Sequence, residues 1–172
     1  RTGKILAGLH TVGRLDIDTE GLLLLTTDGA LTHRLISPKT HVSKTYLVFL
    51  RDEMTEAEKK KCIQIFANGI HIAPEDNDPE ADCAPAEVKF LSAEDSLRLA
   101  GAEAAVPESS GSYALLTIFE GKYHQVKRMF LAVGNKVIYL KRTAIGNLAL
   151  DDKLVPGQYR PLSATELACL MV

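Results

Sequence analysis

Long apolar runs are missing from this 172-residue chain. Nothing in it approaches the roughly 20 consecutive apolar residues that span a bilayer. Cysteine is scarce: Cys62, Cys83 and Cys169 are scattered, odd in number and form no Cys-x-x-Cys pair. Neither a zinc site nor a disulfide framework is supported by that spacing. No secretory signal is read, and the expected compartment is a reducing cytoplasm. Internal repeats and low-complexity tracts are absent too. Excess positive charge is also lacking: the formal net charge is −2, and composition alone does not suggest nucleic acid. The deficit is local, however. The stretch 74–82, PEDNDPEAD, carries Glu75, Asp76, Asp78, Glu80 and Asp82 with no base, and setting those five acids aside leaves the remainder at +3. A basic face therefore stays open. What is present, 46% hydrophobic and 24% charged residues, is the balance of an ordinary soluble globular protein with one domain or two small lobes sharing a core.

The chain is organised around Gly13 to Gly29, GRLDIDTEGLLLLTTDG. The leucine run Leu22 to Leu25 is short and bounded by glycines, which predicts a strand buried on both faces rather than a helix. The acids Asp16, Asp18 and Glu20 then sit in the loop entering it, where a buried strand can hold a side chain in fixed geometry. A calcium loop is excluded, because the bidentate Glu it needs six residues past Gly21 is Thr27 here. An aspartyl-phosphate site of the D-x-D-x-T kind would need its strand before the acids and Thr where Glu20 stands. Asp18 and Glu20 read as a solvated acidic turn. Asp16 differs, since Arg14 two residues earlier could organise a polyanion beside its carboxylate.

Along the chain, 30–37 predicts a short helix ended by Ser37-Pro38. Residues 44–50, KTYLVFL, predict a strand. Residues 55–66 predict a helix with Thr55 and Glu58 as a capping box, its lysines 59–61 facing water. The acidic stretch reads as a surface loop. Residues 86–91 and 96–100 read as two strands, 101–111 as a long mobile loop, and 112–120 as another strand. Residues 123–133 predict a helix stopped by Gly134. Residues 137–145 and 157–161 predict strands, and Ser163 with Glu166 opens a last capped helix. Helices and strands interleave without strict alternation, so the fold class is α+β, with a central mixed, mostly antiparallel sheet flanked by helices.

On the 123–133 helix, Val126, Met129, Phe130 and Val133 form a buried stripe at i, i+3, i+4 and i+7. Lys127 lies at its edge, where plain snorkelling at a core rim is the simplest reading. Arg128 lies opposite the stripe, placed for phosphates. His124 lies off the stripe, suited to RNA contact or helix structure rather than catalysis. Tyr46 alone reads equally as a half-buried strand tyrosine or a stacking platform. Ile118 alone reads as core.

Three motifs in order, GRLDIDTEGLLLLTTDG, SKTYLV at Ser43 to Val48, and EGKYHQVKRM at Glu120 to Met129, resemble the pseudouridine synthases of the small ribosomal-RNA type across nearly the whole chain. The run YHQVKRMF and the later GQYRPL resemble most closely the enzymes that modify one uridine of bacterial small-subunit ribosomal RNA. The resemblance implies a pseudouridine synthase fold and isomerisation of a uridine without cofactor or metal. It makes Asp16 the catalytic carboxylate and Lys127 the cation paired with it, where many relatives have Arg. It sets Tyr46 against the extruded base and Ile118 in the apolar pocket. Arg14, His124 and Arg128 are then expected at the RNA. The implied partner is ribosomal RNA, of the small subunit, or an assembling ribosomal particle, met by a monomer away from any membrane. The family usually carries a Lys-Pro motif and a small RNA-binding domain upstream, and the chain begins at Arg1 with neither. Residues 1–172 are therefore expected to be a catalytic domain lacking its N-terminal part. Two rival readings stand beside this one. The first is a catalytically idle RNA-binding module on the same scaffold. The second is a carboxylate hydrolase using Glu20 or Asp18 as its second acid.

Overall fold

The computed structural model describes residues 7–102, 104, 106, 107 and 111–170. Its elements run β1 (His10–Thr11), β2 (Thr19–Gly21), β3 (Leu25–Thr26), α1 (Gly29–Ile36), β4 (Lys44–Leu50), α2 (Glu56–Ala67), β5 (Ile70–Ile72) and β6 (Ala81–Cys83). They continue with β7 (Glu87–Leu91), α3 (Ala93–Ala100), β8 (Ser112–Ile118), α4 (Gln125–Ala132), β9 (Val137–Ile145), β10 (Leu148–Ala149) and α5 (Ala164–Cys169). The main sheet has the order β10-β9-β4-β8-β7, all antiparallel. On the edge of β9 that carries β10, β2 adds in parallel, with Gly21 opposite Arg142. The fold is thus α+β, with a mixed, mostly antiparallel sheet.

Both faces of this sheet are covered, which is why KTYLVFL is continuously apolar rather than alternating. Tyr46, Val48 and Leu50 point to the principal core with Phe66 of α2 and Val126, Met129 and Phe130 of α4. Leu47 and Phe49 point to the opposite face with Tyr139 and Ala100 of α3. Phe66 and Phe130 meet edge to face at 5.2 Å between ring centroids, so α2 and α4 are locked to each other over the sheet. A third cluster, Val12, Leu24, Leu35, Ile145, Leu148 and Leu170, ties the first strands, α1 and α5 to the β9–β10 corner. No described helix is long and apolar enough to cross a membrane.

Local signals set the helix starts. Thr55 and Glu58 form a reciprocal capping box, as do Ser163 and Glu166. Several expectations need correction. The leucine run is not a doubly buried strand. Only Leu25 of it lies in a strand, two residues long, and Leu24 is buried while Leu25 is exposed. The segment passes from one sheet to another instead of lying inside one: Leu22 N–H donates to Arg142 O of β9, and Leu24 O accepts from Val12 N–H beside β1, each at 2.8 Å. Residues 96–100 belong to helix α3, opened by Ser92, whose hydroxyl accepts from Asp95 N–H; its buried positions Ser96 and Ala100 are four apart, a helical period. Residues 157–161 form no strand. The acidic stretch is the tip of the β5–β6 hairpin rather than a free loop, with Ile70 opposite Cys83 and Ile72 opposite Ala81. In 101–111, the described residues are neither helix nor strand, and residues 103, 105 and 108–110 lie outside the described set, as do 1–6.

Candidate functional site

Asp16 to Thr19 form a turn closed by Thr19 N–H donating to Asp16 O at 2.9 Å. The chain then enters β2, so the turn hangs from the edge of the main sheet. Gly21 makes the close approach possible. Its φ is +105°, and a Cβ there would stand 2.3 Å from the carbonyl oxygen of Arg142, so no other residue fits without moving backbone. The turn sends two of the three acids to one lysine and the third elsewhere. Lys127 Nζ lies 3.5 Å from Asp16 Oδ2 and makes a direct hydrogen bond to Asp18 Oδ1. Glu20 faces the other side of the sheet, where it accepts from Tyr139 Oη at 2.5 Å and lies 3.8 Å from Lys141 Nζ.

Lys127 reaches this turn because Val126, Met129 and Phe130 seat α4 on the sheet, leaving the lysine on the rim with its stem packed and its ammonium outward. The Asp16 side chain keeps 28% of its surface exposed against 65% for Asp18. The hydrogen bond to Lys127 is the main cause holding the Asp18 carboxyl below its usual range, while burial opposes it. One ammonium therefore serves two carboxylates, of which the more enclosed is Asp16. The reading of Asp18 as a solvated turn acid missed this, since the pair spans 109 positions of sequence.

The structure places the other expected residues unevenly. Tyr46 lies on the α4 face of the sheet at 9% exposure, which leaves little free area for stacking. Ile118 is buried on the same face, opposite Lys44. Arg14 is exposed, and its carbonyl accepts from Arg142 Nη1 at 3.4 Å. His124 stacks on Tyr123 at 3.8 Å and its Nδ1 pairs with Glu75 at 3.1 Å. It holds the left-handed conformation, φ +45°, at the start of α4, so the helix begins at Gln125 instead of Tyr123.

Arg128 is not a phosphate contact in this arrangement. It is 5% exposed, and its guanidinium donates to Ala73 O at 2.6 and 3.0 Å, Pro79 O at 2.6 Å and Tyr123 O at 3.1 Å. The physical reason is the β5–β6 hairpin, which covers the helix face that a wheel assigns to solvent. Arg128 pins both arms of that hairpin to α4, and Tyr123 Oη adds a bond to Asp76 at 3.0 Å. Arg128→Ala should therefore lower unfolding stability by about 3 kcal/mol, since it strands several carbonyls. Denaturant unfolding measures it. A phosphate ligand would instead leave stability intact and flatten the salt dependence of RNA binding.

A carboxylate beside an ammonium, on a turn at the edge of a mixed, mostly antiparallel sheet, marks an α+β protein with a candidate acidic site. Comparison narrows the class: the chain belongs to the RNA pseudouridylate synthase family, whose sequence profile matches residues 5–132. It is 43% identical over 160 residues to the ribosomal small subunit pseudouridine synthase A of Yersinia pestis, covering 93% of this chain and 57% of that protein. It is 44% identical over 158 residues to the uncharacterized RNA pseudouridine synthase YtzG of Bacillus subtilis (strain 168), covering 92% of this chain and 56% of that protein. A crystal structure of a pseudouridylate synthase superimposes with a TM-score of 0.74 at 42% identity, over 95% of this chain and 60% of that one. The chain thus spans somewhat over half the length of the relatives it matches.

Proposed function

We propose that this chain is the catalytic domain of a cytoplasmic synthase that isomerises a uridine of ribosomal RNA, in the small subunit, to pseudouridine. The observation that carries the reading is Lys127 Nζ at 3.5 Å from the Asp16 carboxylate, in a member of this family. The reaction breaks the C1′–N1 bond, turns the uracil, joins C1′ to C5, moves the C5 proton off the carbon and leaves N1 with a hydrogen. It is redox-neutral and calls on no cofactor. A carboxylate fixed as an anion serves such a reaction as nucleophile or as base. Asp16 takes that part. Lys127 faces it and holds it in orientation. Tyr46 and Ile118 line the back of the uracil site, exposed Arg14 meets a phosphate, and the protein acts as a monomer on naked RNA or an assembling particle.

The test is pseudouridine mapping of total ribosomal RNA from cells lacking the parent gene, complemented with the full-length protein or its Asp16→Asn form. One small-subunit site restored only by the wild type is the expected result. A large-subunit site overturns the target, and restoration by both proteins removes Asp16 from the reaction. Asp18, sharing Lys127 with Asp16, supplies the second acid that a hydrolytic reading needs. Release of free uracil by the purified protein would favour that reading.

A further inference from the structure

Among the described residues, two buried side-chain polar atoms have no partner, Thr19 Oγ1 and Arg142 Nη2. Both belong to the junction where the Asp16 turn joins the sheet. Arg142 is 3% exposed and stands opposite Tyr46 in the β4–β9 register. Among the described residues no carboxylate pairs with it. Its Nε donates to Leu22 O at 2.7 Å, its Nη1 reaches Arg14 O at 3.4 Å, and its own carbonyl accepts from Leu22 N–H at 2.8 Å. The two carbonyls it grips bracket Asp16 in sequence. The Arg142 charge reaches Lys44: burial first, and then that charge, push the Lys44 ammonium down, while Glu120 pushes it up. A buried guanidinium with like charge beside it and no counter-ion is a poor way to gain stability, because an apolar side chain of similar volume serves that end as well or better. Orphaned buried polar groups call for another explanation, and loop geometry supplies one.

We propose that Arg142 is a positioning residue for the reaction, a clamp whose separate nitrogens hold the entry and exit of the Asp16 turn so that the carboxylate meets Lys127. A fork is required. One planar group spans two carbonyls in fixed geometry, whereas a lysine at the same position offers a single movable donor. Displacements near 1 Å at a reacting group cost large factors in rate, and Asp16 is otherwise held by its own turn, by β2 and by the Lys127 contact. The proposal rests on the synthase reading given above.

The test uses the full-length protein carrying Arg142→Lys, with two readouts. Hydrogen exchange without RNA reports the clamp itself: the amides of residues 16–22 should exchange at least about tenfold faster than in the wild type, with β4 and β8 unchanged. Single-turnover and steady-state assays on ribosomal RNA should show kcat down at least about tenfold and KM within about twofold, as expected when only the reacting geometry is lost. Unchanged exchange across 16–22 with unchanged kcat overturns the clamp. So does a general rise in exchange through β4 and β8 with kcat and KM changing together, since that marks Arg142 as a packing residue only. If the wild type makes no pseudouridine, the synthase reading fails, and the exchange pattern still decides whether Arg142 holds the turn.

Discussion

Asp16→Asn should abolish turnover, cutting kcat by at least about 10³-fold, while Asp18→Asn keeps kcat within about tenfold of the wild type. The two acids lie two residues apart and share one ammonium, so the difference must come from their surroundings. Asp18 sits at the tip of the turn with 65% of its side chain exposed, and water can substitute for much of what it does. Asp16 is the more enclosed, at 28%, and its carbonyl closes the turn by accepting from Thr19 N–H. An amide in place of its carboxylate preserves shape and removes the charge that attack or proton abstraction needs. Removing the Asp18 charge frees Lys127 from its nearer partner and leaves it to Asp16 alone, so the pair that matters survives. RNA affinity should hold or tighten in both variants, because each loses a negative charge facing a polyanion. Assays on a ribosomal RNA fragment with full-length protein separate these outcomes. Equal losses in both variants would show that the two carboxylates act as a unit.

Where chain-local chemistry decides, the sequence was readable. The strands Lys44–Leu50 and Val137–Ile145 announce themselves because both are buried on two faces and filled with branched and aromatic residues. The capping boxes at Thr55 and Ser163 each need four consecutive residues and nothing else. Helix α3 was legible in the same way, through Ser92 and Asp95, but a window limited to 96–100 is too short to separate a helical period from an alternating one. What could not be read depends on partners far along the chain. The leucine run is apolar enough for a buried strand, yet how many edges it finds depends on β1 and β9. Arg128 faces away from the apolar stripe, and that means solvent only if nothing packs there. The hairpin carbonyls it binds are 49 and 55 positions away. The Lys127 pairing with Asp16 rested on family resemblance, because the helix by itself says only that a lysine lies at a core rim. Arg142 carried no sequence signal at all. It sits in an ordinary strand pattern, and its place under the Asp16 turn appears only when β2 adds in parallel to β9.

Lys127→Met should cut kcat/KM at neutral pH by at least about 100-fold, the scale on which a fixed charge at a reacting centre counts. In the wild type, one ammonium offsets two carboxylates. Methionine keeps the packed stem and removes the charge, which leaves the carboxylates of Asp16 and Asp18 on one turn without the ammonium they share. Lys127→Arg should stay within about tenfold of the wild type, because the guanidinium keeps the charge and adds a fork that a carboxylate can accept. Stability supplies an independent check on the same pair. The wild-type Asp18 carboxyl is depressed below its ordinary 3.8, foremost by the Lys127 hydrogen bond. Its contribution is complete above that ordinary value and disappears as pH falls through the depressed one. In Lys127→Met that contribution is gone at every pH, so the gap in melting temperature between wild type and variant should narrow below pH 3.8 and be widest near neutrality. A constant gap across that range, with kcat/KM unchanged, would show that Lys127 acts on neither carboxylate.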